Sequence, residues 1–131
     1  MQLRAIGVVK STLIRPEEAP RQGDEGAPDA WLELEPQYAP ALLGLKAGDD
    51  VLVLTWFHQA RRDELQTRPR NEPSRPMTGV FATRSPDRPN PIGLHRVTVR
   101  ELDGHRVKVG PLEAIDGTPV IDLKPVLGDE R

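Results

Sequence analysis

The chain has 131 residues, of which 37% are hydrophobic, and its formal net charge is −2. That size suits one soluble domain (1–131) with a modest core, and the charge excludes a chain drawn to polyanions by its overall field. The absence of cysteine removes disulfides, thiolate metal sites and cysteine nucleophiles, and agrees with a reducing, cytoplasmic setting.

The opening "MQLRAIGVVKSTLI" lacks the long apolar region and small-residue cleavage site of a signal peptide. No stretch approaches the roughly 20 apolar residues of a membrane helix, so no membrane partner is expected. "AIGVVK" (Ala5 to Lys10) reads as a first strand, and Arg15 to Pro28, rich in Pro, Gly and charge, as a loop. "WLELE" (Trp31 to Glu35) alternates apolar and charged residues as a half-buried strand does. "PQYAPALLGLKAGD" suits a short helix with Pro36 in its first turn and Gly44 near its stop, made brief or irregular by Pro40.

The run "VLVLTWF" (Val51 to Phe57) predicts a central strand buried on both faces. The polar, proline-punctuated segment after it predicts a long functional or disordered loop. Strands follow over Met77 to Thr83, over "LHRVTVREL" and over "HRVKVG". Asp103-Gly104 is suited to a type I′ hairpin turn between the last two. A second Asp-Gly turn at Asp116-Gly117 precedes a short strand around Val120 to Leu123. Short strands, one short helix and long loops make the fold mainly β, a small barrel-like domain. No Gly-x-Gly-x-x-Gly opens a helix after a strand, so a Rossmann nucleotide site is not indicated.

Between two strand-like runs lies "RSPDRPNPIG" (Arg84 to Gly93). Each proline fixes its own φ near −65° and pushes the preceding residue towards extended geometry. The segment therefore loses little entropy on ordering. Prolines donate no N–H, which leaves neighbouring carbonyls freer to accept from a ligand, and Gly93 permits close approach. By residue type alone this is equally a rigid spacer between strands and a gripping site.

Other candidates are weaker on their own. His58 and Gln59 follow a predicted strand, where polar side chains commonly enter a site, yet a lone histidine is as often structural. No two of the three histidines have metal-ligand spacing, so no metal is expected. Asp116, Gly117 and Thr118 read first as a turn. Seven of the fourteen arginines fall between Arg61 and Arg88, against four acidic residues, so this region is locally basic. Such arginines more often form a solvated loop than a binding surface. Paired catalytic carboxylates, a Ser/His/Asp set and a phosphate-cradling loop are not evident at persuasive spacing.

Taken together, "GVFATRSPDRPNPIGL", preceded by "TWFHQ" and followed by "IDGTPVIDLKP", resembles the tRNA methyltransferase O family. "PRQG" (Pro20 to Gly23) and "LEPQYAPALLGL" extend the likeness to nearly the whole chain, in the same order. The resemblance implies a small β-barrel that binds S-adenosylmethionine, acts as a homodimer with its site near the subunit interface, and takes tRNA as partner. The implied reaction is methylation of N6 of threonylcarbamoyl-adenosine next to the anticodon. Position by position, the implied cofactor contacts are Phe81, Ala82, Thr83 and Arg84 at a strand end. Asn90, Pro91, Ile92 and Gly93 come from the proline turn, and Asp116, Gly117 and Thr118 from the second turn. Arg21, Gln22, His58 and Gln59 line the same mouth.

His58 is the only histidine in the matched motifs and the candidate base for the N6 proton. Arg61, Arg62, Arg68, Arg70 and Arg88 are the candidate contacts to RNA. The family turn usually carries an aromatic residue where this chain has Asp87, and many bacterial members continue beyond the point matching Arg131 into a further domain associated with tRNA. Those departures keep two alternatives in view: a methyltransferase for another RNA or a small-molecule acceptor, and a module that binds S-adenosylmethionine without catalysis.

Overall fold

A computed structural model of the chain describes residues 1–21 and 26–128, with Asn71 described by its backbone only. Six strands close into an antiparallel barrel: β1 (Gly7–Lys10), β2 (Ala30–Leu34), β3 (Asp50–Trp56), β6 (Ile92–Asp103), β7 (Arg106–Gly110) and β8 (Pro119–Pro125). The order around the barrel is β1-β2-β7-β6-β3-β8, with β8 pairing back onto β1. A separate two-stranded arm joins β4 (Gln66–Thr67) to β5 (Thr78–Gly79). The fold is mainly β, as the sequence predicts.

Strand alternation decides what fills the barrel. Val51, Val53 and Thr55 of β3 face inward, as do Gly93, His95, Val97 and Val99 of β6. Valine dominates the interior, with Val9, Val107, Val109 and Val120 also buried, because a six-stranded barrel is too narrow for many larger side chains. Leu42 and Leu45 pack against the core from the β2–β3 connection, and Leu112, Ala114 and Ile115 are buried on the β7–β8 connection.

Several predicted elements take a different form. β3 is buried on its inward face only; Leu52, Leu54 and Trp56 are half-buried because a barrel's outer face lacks a second layer. The predicted strand over 77–83 reduces to Thr78–Gly79, after which Val80–Ala82 makes a 3₁₀ turn that buries Val80 and exposes Phe81. The predicted helix is a 3₁₀ segment, Pro36–Leu42, with Pro40 inside it unable to donate a backbone bond. The hairpin loop is Gly104-His105, since Asp103 pairs with Arg106; only Gly104 has positive φ (62°), the pattern of a type II′ rather than I′ turn. The long segment after β3 is largely built, carrying β4 and a 3₁₀ turn at Pro69–Asn71.

Because every barrel neighbour is antiparallel, the connections sort cleanly between two ends. The 11–29, 57–91 and 111–118 connections leave one end; the 35–49 connection, the Gly104-His105 loop and the end of β8 lie at the other.

Candidate functional site

All the described candidate residues lie at the first of these ends or on the arm attached to it. Arg21 stands on the β1–β2 connection and is exposed; Gln22 lies outside the described residues. His58 and Gln59 are exposed just past β3. Phe81, Ala82 and Arg84 are exposed and Thr83 half-buried as the chain returns from β5. The proline turn then leads into β6, and the Asp116 turn leads into β8. Segments separated by up to 95 residues in sequence therefore share one face of the molecule.

The proline turn is stapled to the loop after β3. Asp87 Oδ1 accepts the Arg61 N–H at 2.8 Å, and the Arg88 N–H donates to Arg61 O at 3.1 Å. Arg62 Nε donates to Pro89 O at 2.7 Å and its Nη2 to Asn90 Oδ1 at 2.9 Å, while its guanidinium lies 5.2 Å from the Trp56 ring centroid. Arg88 folds back, its Nη1 donating to Thr83 O and Ser85 O at 3.0 and 3.1 Å. The Phe57 N–H donates to Pro91 O at 2.8 Å. Asp87 is thus one of several residues that join the two segments.

These contacts correct two expectations. The carbonyls of Thr83, Ser85, Pro89, Asn90 and Pro91 already accept bonds from within the chain, because arginine and backbone donors reach them first. Gly93 is buried, and a Cβ there would lie 2.5 Å from both Phe57 Cζ and Thr55 Oγ1. Its lack of a side chain admits the Phe57 ring rather than a ligand. Pro91 is likewise buried, whereas Asn90 and Ile92 are exposed.

The second turn is anchored in the same manner. Asp116 Oδ1 accepts the Ser11 N–H at 3.0 Å, the Asp116 N–H donates to Leu13 O, and the Gly117 N–H donates to Val9 O. Thr118 is 1% exposed and its hydroxyl donates to Ile115 O at 2.7 Å, so its side chain fixes the turn instead of meeting solvent. Gly117, at φ 86°, is the exposed residue of the three.

The arginine cluster is less free than its composition implies. Arg61 pairs with Asp63 at 3.1 Å and Glu64 at 3.7 Å, and its guanidinium holds the Asp63 carboxyl below its ordinary 3.8. Arg68 Nη1 donates to Arg75 O at 2.6 Å, and Arg70 also has a partner. Much of the local positive charge therefore braces the loops. Among the described residues no group of His, Asp and Glu is arranged to hold a metal ion, and no helix is long and apolar enough to cross a membrane.

A concavity of about 540 Å³ lies elsewhere, against Leu45, Asp49, Asp50, Arg96, Val126 and Leu127 at the other end of the barrel. Its charges are paired internally, Asp49 with Lys46 and Asp50 with Arg96; Leu45 and Pro125 of the matched segments line it, but none of the candidate site residues does. Sequence reasoning overlooked a different feature: His95, inward on β6, contacts Thr55 and Glu113 inside the candidate end. Its signal was a histidine at the inward parity of Gly93, Val97 and Val99, together with one glutamate within "PLEAI".

The class defined here is a small closed β-barrel with a loop-built candidate site at one end. The chain belongs to the tRNA-methyltransferase O N-terminal domain family, whose model matches residues 8–129. A "Probable S-adenosyl-L-methionine-binding protein" of Methanothermobacter thermautotrophicus is 40% identical over 129 residues, covering 98% of this chain and 92% of that protein. The Escherichia coli tRNA (adenine(37)-N6)-methyltransferase is 39% identical over 137 residues, covering 96% of this chain and 57% of that enzyme. The crystal structure of TrmO from Pseudomonas aeruginosa superposes with a TM-score of 0.78 at 31% identity, over 100% of this chain and 60% of that one. The chain spans only 34% of a longer "Probable S-adenosyl-L-methionine-binding protein" of Archaeoglobus fulgidus, to which it is 41% identical over 125 residues.

Proposed function

We propose that the loop-built end of the barrel binds S-adenosylmethionine and that the chain transfers its methyl group to tRNA, at N6 of threonylcarbamoyl-adenosine next to the anticodon. The observation that carries this reading is the convergence of the described candidate cofactor residues, from segments far apart in sequence, on one end of the barrel. The exposed groups there suit the cofactor. Phe81 offers an uncovered ring, 85% exposed, able to stack on a base or face a cation. The Arg84 guanidinium complements a carboxylate, and Asn90 keeps its Nδ2 donors while Oδ1 is held by Arg62.

S-adenosylmethionine supplies a methyl already activated on a sulfonium, so a C–N bond replaces the C–S bond without a nucleophilic side chain. The chain's task is alignment, which the stapled proline turn provides. One proton leaves N6, and His58, exposed just past β3, is the candidate to take it. His58→Ala should lower turnover about 100-fold or more, with a much smaller change in cofactor affinity.

A homodimer completes the reading. Phe81, Leu65 and Met77 expose 85%, 67% and 52% of their surface on the arm, and a second copy covering them would explain apolar groups in solvent. Sedimentation at several concentrations tests this; a monomer throughout contradicts it.

One observation favours a second acceptor: Arg61, Arg62, Arg68 and Arg88 are engaged within their own loops, which leaves less charge for an RNA backbone. Mass spectrometry of nucleosides from tRNA incubated with the chain and cofactor separates the readings. A methylated adenosine supports the tRNA reaction. Cofactor binding without a methylated nucleoside supports another acceptor or a sensor.

A further inference from the structure

Inside the candidate end runs a buried polar chain that methyl transfer does not itself require. Thr55 is 0% exposed and the His95 side chain 1%, while Glu113 keeps 16%. Thr55 Oγ1 lies 2.7 Å from His95 Nε2, and His95 Nδ1 lies 2.5 Å from Glu113 Oε1. With Glu113 a carboxylate, only Nδ1–H can donate, so the neutral ring accepts the Thr55 hydroxyl at Nε2. The series has the order of a hydrolytic triad, but its hydroxyl is sealed behind Gly93 and the Phe57 ring, which meets His95 edge-on at 5.7 Å. No substrate reaches Thr55, and acyl transfer is excluded on access.

We infer that His95 and Glu113 are positioning residues that set the second turn against the proline turn; this rests on the reading that this end binds S-adenosylmethionine. Glu113 sits between Leu112 and Ala114, both in the core, on the connection that plugs the barrel. The apolar neighbours hold that plug down without direction, whereas the bond to His95 fixes its register against β6. Three residues on, Asp116 and Gly117 are tied to Leu13 and Val9. The turn is therefore held from two sides, by β6 through Glu113 and by the end of β1.

Glu113→Gln keeps an oxygen to accept Nδ1–H, while Glu113→Leu keeps bulk and removes the acceptor. In the full chain, calorimetry with S-adenosylmethionine and hydrogen exchange of the Asp116, Gly117 and Thr118 amides read the consequence. Glu113→Leu should weaken binding about tenfold and speed exchange at those amides by a similar factor, with Glu113→Gln within about twofold of wild type. Should Glu113→Leu fail to fold, His95→Asn, which keeps a donor near Nδ1, should outperform His95→Gln, which keeps only the Thr55 side. Wild-type affinity in Glu113→Leu, or equal loss in Glu113→Gln, overturns the inference. A wild-type chain that binds no S-adenosylmethionine overturns the functional reading instead, and the exchange rates then decide the positioning role alone.

Discussion

Asp87 and Arg62 do at the residue scale what the prolines alone cannot. Prolines stiffen 84–93, but stiffness does not fix where the segment lies. Its placement comes from the Asp87–Arg61 backbone bond and from Arg62, which spans Pro89 O, Asn90 Oδ1 and the Trp56 ring. Asp87→Ala should cost about 1 kcal/mol in denaturant unfolding, and Asp87→Asn, still an acceptor, clearly less. Arg62→Lys keeps charge but loses the planar fork and the ring contact, so it should weaken cofactor binding nearly as much as Arg62→Ala.

A pH effect belongs to the neighbouring pair. The Asp63 carboxyl is lowered by its hydrogen bond to Arg61, so the pair is complete above the ordinary value of 3.8 and is lost as pH falls through the lowered folded value. An NMR titration of Asp63 should show a midpoint below 3.8 that rises towards the ordinary value in Arg61→Ala, the backbone hydrogen bond to the carboxylate keeping part of the depression. Both groups lie at the surface, so added salt should shrink the difference.

At the scale of elements, the β7–β8 connection and the start of β6 bear much of the proposed site. Leu112 is 0% exposed in the barrel's mouth, and its N–H donates to Pro28 O at 2.9 Å, linking the plug to the strand that begins at Ala30. Leu112→Ala should destabilise the fold by about 2–5 kcal/mol in chemical denaturation, because a barrel wall cannot collapse into the space. Gly93→Ala brings a methyl into the Phe57 ring and the Thr55 hydroxyl, and overpacking of that kind costs about 1–3 kcal/mol.

Alternation made β2 readable from "WLELE", and the turn residues placed Gly104 and Gly117 near chain reversals. The run over Val51 to Phe57 misled on burial because apolar residues on a barrel's outer face look like those inside it. The arm misled because two paired residues leave too short a pattern to distinguish from the 3₁₀ turn that follows. In the site, the motif segments were legible from the chain, but the bonds that consume the turn's carbonyls were not. Some depend on residues more than 20 positions away, as with Arg62 and Pro89 O or Phe57 and Pro91 O, and the others on how Arg88 folds back over the turn. Glu113 and His95 stayed hidden for the same reason, since only closure of the barrel brings them together.

On the scale of the whole molecule, antiparallel closure sorts the loops into the proposed binding end and an opposite, supporting end. The first gathers the loops that carry the candidate site residues; the second is closed by Leu42 and Leu45 and joined by the short β6–β7 hairpin. That division lets the loops vary in chemistry while a valine-lined barrel holds their roots. The placement of S-adenosylmethionine is tested most directly by mapping backbone amide shifts as it is titrated into the isotopically labelled chain. Perturbed amides should cluster at 57–62, 80–93 and 114–118, and those at 45–50 and 125–128 should stay unmoved. A cluster around the concavity at the other end, or no saturable change at all, would contradict the account.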